Sequence, residues 1–216
     1  YEDEDGSIWI GTALNGIMHY HAADNQFRYV GKRTSEGGTT ELMDYNVLSM
    51  YADKSKHQLW LGSRNGLSMY DELTDQFTHY PFAVANRKPD NQILSITSIN
   101  NRIYYLGTQK GLVVWDDLQK RYFQGSVKDR VNKVFVDSQN TLWIGTEDSG
   151  LKSVLIDGDG QVNKVVRNWS ADGGGRIKEI TDIVELPEGQ IWVGTSRGLF
   201  KIQNEHILRF EIELGK

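Results

Sequence analysis

The sequence contains no cysteine and only three prolines among its 216 residues. The absence of cysteine excludes disulfide bonds, thiolate metal sites and cysteine nucleophiles. No apolar run approaches the roughly 20 residues that a helix needs to cross a bilayer. The chain begins Tyr-Glu-Asp-Glu-Asp-Gly, which has none of the features of a signal peptide. We therefore expect this segment itself to make no contact with a membrane.

Charge and composition narrow the class further. The net charge is −5 at pH 7, and a nucleic-acid partner is not expected because phosphate binding needs a basic surface. Hydrophobic residues make up 38% of the chain, enough for an ordered core. The 22 glycines, with six tryptophans and ten tyrosines, are typical of many short strands joined by tight turns. The composition therefore favours an all-β domain.

One six-residue motif recurs five times along the chain. Its copies end in Gly-Thr or Gly-Ser and are Ser7–Thr12, Gln58–Ser63, Ile103–Thr108, Thr141–Thr146 and Gln190–Thr195. Successive copies of its glycine lie 38 to 51 residues apart, close to the roughly 40–50-residue repeat of propeller blades. Apolar residues are consecutive in the motif, as in Ile8-Trp9-Ile10. This pattern predicts a strand that is covered on both faces.

Each motif continues into a short loop and a second glycine that is followed by an apolar residue. These pairs are Gly16-Ile17, Gly66-Leu67, Gly111-Leu112, Gly150-Leu151 and Gly198-Leu199. We expect the second glycine to lie in a tight hairpin with positive φ, which a residue with a Cβ adopts only at a cost. Apolar runs before and after this pair give four strands per repeat, named A to D, which is the content of one β-propeller blade.

These strands predict an all-β fold, a β-propeller of about five four-stranded blades within one domain, residues 1–216. The predicted blades cover residues 1–46, 47–92, 93–130, 131–179 and 180–216. The first blade has no complete strand A, and no additional strand after the fifth blade replaces it. Since closed propellers usually pair their two chain ends within one blade, we expect a fragment of a seven-bladed propeller.

The repeated unit resembles the two-component regulator propeller repeat. The resemblance rests on an Asp-x-x-Gly-like turn, then apolar-Trp-apolar-Gly-Thr, then Gly-Leu-x-x-aromatic, and it covers nearly the whole chain. Residues 3–20 and 53–70 match this pattern best, whereas the third copy has Tyr104-Tyr105 where Leu-Trp is usual. The resemblance implies a periplasmic sensor segment of a hybrid two-component histidine kinase of Bacteroidetes.

The resemblance also implies a ligand and a parent protein. The ligand would be an oligosaccharide, and the response would regulate polysaccharide utilisation. The parent would be a homodimer anchored in the inner membrane, with its kinase outside this segment, so the segment would be non-enzymatic and need no cofactor. Two alternatives remain open, which are a propeller-scaffold lyase acting on a polysaccharide or similar substrate and a protein-interaction scaffold. A lyase would place a histidine and an acid at the channel mouth.

Basic residues are frequent in the D–A and B–C loops, which we expect at one end of the blades. The predicted ligand-binding residues are Arg33, Arg64, Arg87, Lys110, Arg130, Trp169, Arg176 and Arg197. Because arginine forms charge-assisted hydrogen bonds with carboxylate and sulfate groups, this set favours an anionic sugar. The alternative is an ordinary solvated face, since these loops contain nine acidic residues against eleven basic ones.

The histidines and tryptophans give weaker signals. His19 and His21 lie two residues apart on a strand, but zinc needs three or four ligands, and we expect an exposed pair and no metal site. Four tryptophans occupy the core position of the repeat and are expected to pack there, namely Trp9, Trp60, Trp143 and Trp192. Trp115 and Trp169 lie outside that register and are free for a functional role. No catalytic residue is predicted.

Overall fold

The structure is a computed structural model. It describes residues 1–2, 6–13, 15–21, 23–31, 41–82, 92–156, 160, 162–169, 177–187, 189–203 and 206–210. These residues form β-strands that follow one another along the chain and a single 3-10 turn at Lys54–Lys56. The all-β prediction is confirmed.

The strands assemble into five sheets, numbered here in chain order. Sheet 1 contains β1 (Ile8–Gly11), β2 (Ile17–His21) and β3 (Gln26–Val30). Sheet 2 contains β4 (Ser49–Asp53), β5 (Gln58–Gly62), β6 (Gly66–Asp71) and β7 (Gln76–Pro81). Sheet 3 contains β8 (Ile93–Ser98), β9 (Ile103–Thr108), β10 (Gly111–Asp116) and β11 (Arg121–Gln124). Sheet 4 contains β12 (Val131–Val136), β13 (Thr141–Thr146), β14 (Leu151–Ile156) and β15 (Val162–Trp169). Sheet 5 contains β16 (Ile180–Leu186), β17 (Gln190–Thr195), β18 (Gly198–Gln203) and β19 (His206–Arg209).

Each sheet is an antiparallel meander in which neighbouring strands are consecutive in the chain. Four sheets have the four strands predicted for a blade, and sheet 1 has three strands with an isolated bridge between Glu2 and Ile8. Contacts group the chain into two compact units, Tyr1–Ile96 and Thr97–Lys216. Sheets 1 and 2 lie in the first unit and sheets 4 and 5 in the second, while the division falls inside β8.

The second strand of each sheet carries the repeated motif, and its burial follows the prediction in most sheets. β5, β9 and β13 are buried on both faces over nearly their whole length. β1 differs, because Trp9 is buried whereas Ile8 and Ile10 are 38% and 39% exposed. Trp9 faces the core formed with sheet 2, and no described element of the first unit packs on the opposite face of sheet 1. The prediction that this strand is covered on both faces is therefore wrong for sheet 1.

The cores lie between successive sheets. In the first unit, Trp9 and Ile17 of sheet 1 pack with Leu59, Leu61 and Tyr70 of sheet 2. In the second unit, one core joins sheets 3 and 4 and another joins sheets 4 and 5. Burying one leucine-sized side chain contributes about 1.5–3 kcal/mol, so each sheet-to-sheet contact makes a large contribution to stability.

The first glycine of the motif is required by the close approach of the next sheet. A Cβ on Gly62 would overlap Ser49 Oγ and would meet Ile93 Cγ2 at 2.6 Å. A Cβ on Gly145 would overlap the Ile180 side chain, with Ile180 Cβ only 2.8 Å away. In both cases the obstructing isoleucine begins the first strand of the following sheet. In sheets 2 and 4 the glycine therefore sets the distance to the following sheet.

The A–B turn of sheet 4 is built around one carboxylate. Asp137 Oδ2 accepts a hydrogen bond from Trp143 Nε1 at 2.7 Å, and Oδ1 accepts from the backbone N–H groups of Gln139 and Thr141 at 2.9 and 2.8 Å. In sheet 5, Leu186 stands at the equivalent position, four residues before the second strand begins. Trp192 Nε1 has no hydrogen-bond partner within the described residues.

Replacing Leu186 with aspartate is expected to raise the free energy of unfolding by about 1 kcal/mol. The new carboxylate would accept from Trp192 Nε1 as Asp137 does from its tryptophan, and little burial is lost because Leu186 is exposed. Chemical denaturation followed by tryptophan fluorescence measures the change. Leu186→Ala is the control without an acceptor, and equal stability of the two variants would contradict the prediction.

Candidate functional site

The end of each sheet at which strands B and C join, called here the B–C end, is closed by one hydroxyl group. In all five repeats the threonine or serine after the first glycine donates a hydrogen bond to the carbonyl of the second glycine. The Oγ-to-oxygen distances are 2.9 Å for Thr12, 3.1 Å for Ser63, 2.6 Å for Thr108, 2.7 Å for Thr146 and 2.9 Å for Thr195. In four of the repeats the threonine or serine Oγ also accepts a hydrogen bond from a backbone N–H of the loop. The turn is thus held without help from the loop side chains.

The second glycine has positive φ in every repeat, as predicted, with values between 72° and 134°. The loops at this end are also tied to the sheet that follows. In the first unit, Val47 N donates to Thr12 O at 3.1 Å and Ile93 N donates to Ser63 O at 3.0 Å. In the second unit, Glu179 N donates to Glu147 O at 2.7 Å. Side chains at the B–C end are therefore presented by a fixed backbone.

Among the predicted ligand-binding residues, Arg64 is exposed and has a guanidinium group held in a defined orientation. It is exposed in the loop between β5 and β6. When the Asn46 amide is oriented so that both of its ends find hydrogen-bond partners, its oxygen accepts from Arg64 Nε and Nη2 at 3.1 and 3.2 Å. The Asn46 nitrogen donates in turn to Ala13 O at 3.2 Å. Within the described residues, no carboxylate lies at ion-pair distance from Arg64. This orientation leaves the guanidinium available to an anion.

The basic residues of the second unit differ in their surroundings. Arg130 Nη1 lies 3.6 Å from Glu147 Oε2, and Lys178 Nζ lies 3.7 Å from Asp148 Oδ1. Arg197 is exposed in the β17–β18 turn, where its backbone N–H is bound by Thr195 Oγ1 at 3.0 Å. Lys110 is exposed in the corresponding turn of sheet 3. Part of the positive charge at this end is therefore balanced by adjacent carboxylates.

Three of the predicted residues, Arg33, Arg87 and Arg176, lie outside the described residues. The ligand-binding set as a whole thus stays a prediction. Arg64 and Arg197 have no carboxylate partner among the described residues, whereas Arg130 has one in Glu147.

The two tryptophans outside the core register lie in different surroundings. Trp115 is 2% exposed and packs on Tyr122, with a ring-centroid distance of 4.6 Å. It occupies the aromatic position of Gly-Leu-x-x-aromatic, where sheet 2 has the buried Tyr70. The prediction that Trp115 is free for a functional role is therefore wrong, because this aromatic position on strand C faces a core.

Trp169 ends β15 and is half-buried. Its ring packs against Trp143 at a centroid distance of 5.5 Å, and the Arg167 guanidinium lies 4.1 Å from its centroid. Its Nε1 donates to Ser153 Oγ at 2.9 Å. These contacts use much of the ring surface that a sugar would need for stacking. Binding of a ligand by Trp169 stays a prediction.

The histidines do not gather at the B–C ends. His19 is 8% exposed and stacks on Trp9, with 3.9 Å between ring centroids, so the expected exposed pair is wrong for this residue. His79 is bound by Ser68 Oγ at 3.0 Å and by Glu41 O at 2.9 Å. His21 and His206 lie beside C–D turns, and His57 lies in an A–B turn. The described residues contain no group of three or more histidines and carboxylates that could hold a metal.

No helix in the described part of the chain has the length and apolar character needed to cross a membrane.

Comparison with known proteins gives matches at three levels. Residues 125–148 match the family model described as the two component regulator propeller. Histidine kinase P4 of Formosa agariphila is 26% identical over 166 residues, which is 71% of this chain and 12% of that protein. This chain therefore spans only about an eighth of the length of its curated relative.

Three solved structures share the fold. The extracellular domain of the hybrid two component system BT3049 from B. thetaiotaomicron aligns with a TM-score of 0.74 and 19% identity, over 98% of this chain and 28% of that one. PorZ of the Porphyromonas gingivalis type-IX secretion system aligns with a TM-score of 0.70 and 19% identity, over 99% of this chain and 33% of that one. A catalytically inactive virginiamycin B lyase from Staphylococcus aureus aligns with a TM-score of 0.69 and 14% identity, over 100% of this chain and 69% of that one.

These matches and the five meander sheets identify the fold as a β-propeller. Within that class, residues 125–148 match the two-component regulator propeller repeat, which confirms the resemblance seen in the glycine motifs.

Proposed function

We propose that this chain is part of the extracytoplasmic ligand-sensing region of a hybrid two-component sensor. The observation that carries the proposal is the match of residues 125–148 to the two component regulator propeller, in a chain whose glycine motif recurs in all five sheets. Similarity to a histidine kinase and to an extracellular domain of a hybrid two component system supports it. The segment recognises a ligand, and the kinase reaction belongs to another part of the parent.

The ligand that fits best is an anionic oligosaccharide, bound at the B–C end. Arg64 supports this because its guanidinium is oriented by Asn46 and is not neutralised by a described carboxylate. Arginine held in one geometry binds carboxylate or sulfate with a smaller loss of side-chain entropy than a free arginine. Location in the periplasm, a homodimeric parent and control of polysaccharide utilisation follow from the same proposal.

Replacing Arg64 with alanine is expected to weaken binding of a uronic-acid or sulfated oligosaccharide by about 1.5–3 kcal/mol, the range for hydrogen bonds to charged groups. The same affinity should fall as salt is added, because partly exposed ion pairs are screened. Calorimetry on the parent's complete extracytoplasmic region, with anionic and neutral oligosaccharides compared, measures both effects.

Two matched variants sharpen this experiment. Arg130→Ala should cost less than Arg64→Ala, because the Arg130 guanidinium is already paired with Glu147. Arg121→Ala should cost nothing, because Arg121 begins β11 beside a C–D turn, at the opposite end of its sheet. Equal affinity for anionic and neutral oligosaccharides, or equal losses in all three variants, would overturn the proposed anionic ligand.

A lyase is the second candidate, favoured by the likeness to virginiamycin B lyase. The two sequences are only 14% identical, so the likeness shows a shared fold and nothing more. A lyase on this scaffold needs a histidine with an acid where the substrate binds. The described histidines instead lie in strands or in turns away from the B–C ends, and His19 is stacked against Trp9. These positions favour recognition over catalysis.

A further inference from the structure

One face of sheet 5 is apolar and open to solvent. Val184, Leu199 and Phe210 are 46%, 40% and 43% exposed there. Trp192 shares this face, because it pairs with Val184 across the strands and its ring lies 5.0 Å from that of Phe210. The opposite face of sheet 5 is buried against sheet 4. Within the described part of the chain, sheet 5 is therefore covered on one side only.

This open face repeats, position by position, the face with which sheet 4 packs on sheet 5. The register of the strands matches Val184 with Phe135, Trp192 with Trp143, Leu199 with Leu151, and Phe210 with Trp169. In sheet 4 the motif tryptophan and the leucine are 6% and 0% exposed, in the core that joins sheets 4 and 5. Sheet 5 thus presents to solvent the kind of surface that sheet 4 buries against its neighbour.

Gly194 leaves a space on the open face. The equivalent glycines are in contact with a residue of the following sheet, namely Gly11 with Val47, Gly62 with Ile93, and Gly145 with Ile180. Among the described residues, a Cβ on Gly194 would meet only atoms of β16, the nearest being Thr181 Oγ1 at 3.1 Å. Each residue that fills such a space is β-branched and lies within two residues of the start of the first strand. The space at Gly194 therefore fits a valine or isoleucine of another sheet.

A second copy of this chain does not offer the residue that this space requires. In sheets 2, 4 and 5 the face that packs on a preceding sheet is already buried within the chain, and Ile93 of sheet 3 already contacts Gly62. Sheet 1 is open on that side, but its described residues before β1 form an isolated bridge at Glu2 and no first strand. The curated relative has sequence beyond such a segment, since this chain covers 12% of its length.

We propose that the open face of sheet 5 packs against a further four-stranded sheet of the same repeat, which the parent chain supplies. The first strand of that sheet begins with a valine or isoleucine that enters the space at Gly194, as Ile180 does at Gly145. The contact buries Leu199 and Phe210, and the burial of apolar side chains stabilises the assembly. This face thereby belongs to the internal packing of the parent and is not a surface for its ligand.

Gly194→Ala tests the space directly. In the 216-residue chain it should change the thermal midpoint by less than about 1 °C, because Thr181 is exposed and can move away from the new methyl group. In the parent's complete extracytoplasmic region it should lower the midpoint by roughly 3 °C or more, because the methyl group overlaps the entering side chain. Gly145→Ala is the matched control and should be destabilising in both proteins, since Ile180 already fills its space. An equally small effect of Gly194→Ala in both proteins would overturn the proposal.

A single thiol on the open face gives an independent measurement, since this chain contains no cysteine. Leu199→Cys should react with a maleimide roughly tenfold more slowly, or slower still, in the complete extracytoplasmic region than in the 216-residue chain. Leu118→Cys is the matched control, because Leu118 is 72% exposed in the C–D turn of sheet 3 and should react equally in both. Labelling of the unaltered proteins is subtracted. Equal rates for Leu199→Cys in the two proteins would contradict the inferred contact.

Two other outcomes would assign the face to a different occupant and overturn the proposal. Protection of Leu199→Cys without any loss from Gly194→Ala would mean that a surface covers the face without a side chain entering the space. Protection in the 216-residue chain that increases with its concentration would mean that a second copy covers it. Neither test involves a saccharide or Arg64, so failure of this inference leaves the proposed function intact.

Discussion

Gly111→Ala is expected to lower the free energy of unfolding by about 3 kcal/mol or more. Gly111 has φ of +114°, a conformation that residues with a Cβ rarely adopt, and this alone costs on the order of 1–3 kcal/mol. A Cβ would also overlap the carbonyl oxygen of Val127 and would meet Lys128 Cα at 3.0 Å. Both obstructing groups are backbone, so no side-chain rotation relieves the overlap, and the strain adds to the conformational cost.

Gly198→Ala separates these two contributions. Gly198 occupies the same position in sheet 5 and has φ of +124°, but a Cβ there meets nothing nearer than 3.7 Å. The free energy of unfolding of Gly198→Ala should therefore fall only by the conformational cost, about 1–3 kcal/mol. Chemical denaturation of the two variants against the unaltered chain gives the comparison. Equal losses would show that the backbone conformation, and not the approach of Val127, determines the effect.

Asp137→Ala is expected to cost about 3 kcal/mol of the free energy of unfolding. The carboxylate accepts three hydrogen bonds, one from buried Trp143 and two from the backbone of its own turn. Its removal leaves these donors without an acceptor, and an unsatisfied buried donor costs about 1–3 kcal/mol. Denaturation curves give the loss, and the near-ultraviolet circular dichroism of Trp143 should change with it.

Asp137→Asn is the matched control for this experiment. The amide oxygen can keep the two backbone bonds, but its nitrogen is a donor and cannot accept from Trp143 Nε1. The loss should therefore be clearly smaller than in Asp137→Ala. Identical losses in the two variants would mean that the indole bond, and not the turn, provides most of the stabilisation.

The features that the sequence predicts well are those imposed by every repeat. Trp60 and Trp143 are buried as expected for the core position of the motif. The positive φ of Gly66 and Gly111 could be predicted because the hairpin geometry is local. Where the surroundings of the repeat change, the prediction is wrong, as for Ile8 and Ile10.

Other features depend on which residues face each other, which the sequence pattern does not specify. Trp115 lies on strand C, outside the register of the core tryptophans, yet its alignment with Tyr70 in the Gly-Leu-x-x-aromatic pattern is the signal that indicates its burial. His19 is buried because its cross-strand partner is Trp9. Its polar side chain gave no sign of this stacking.

The candidate site was predictable only as a surplus of basic residues. A count of charges in the loops cannot distinguish Arg64, held by an asparagine, from Arg130, paired with a glutamate.

The hydroxyl that closes each B–C turn has a consequence for how such a protein can acquire new specificities. Since Thr12, Ser63 and their equivalents hold the turn through its own backbone atoms, the side chains between them and the second glycine are not needed to close the hairpin. Those two or three positions can therefore exchange charge, size and polarity from one relative to the next at little energetic cost. The scaffold can diversify its recognition surface while its architecture is inherited unchanged.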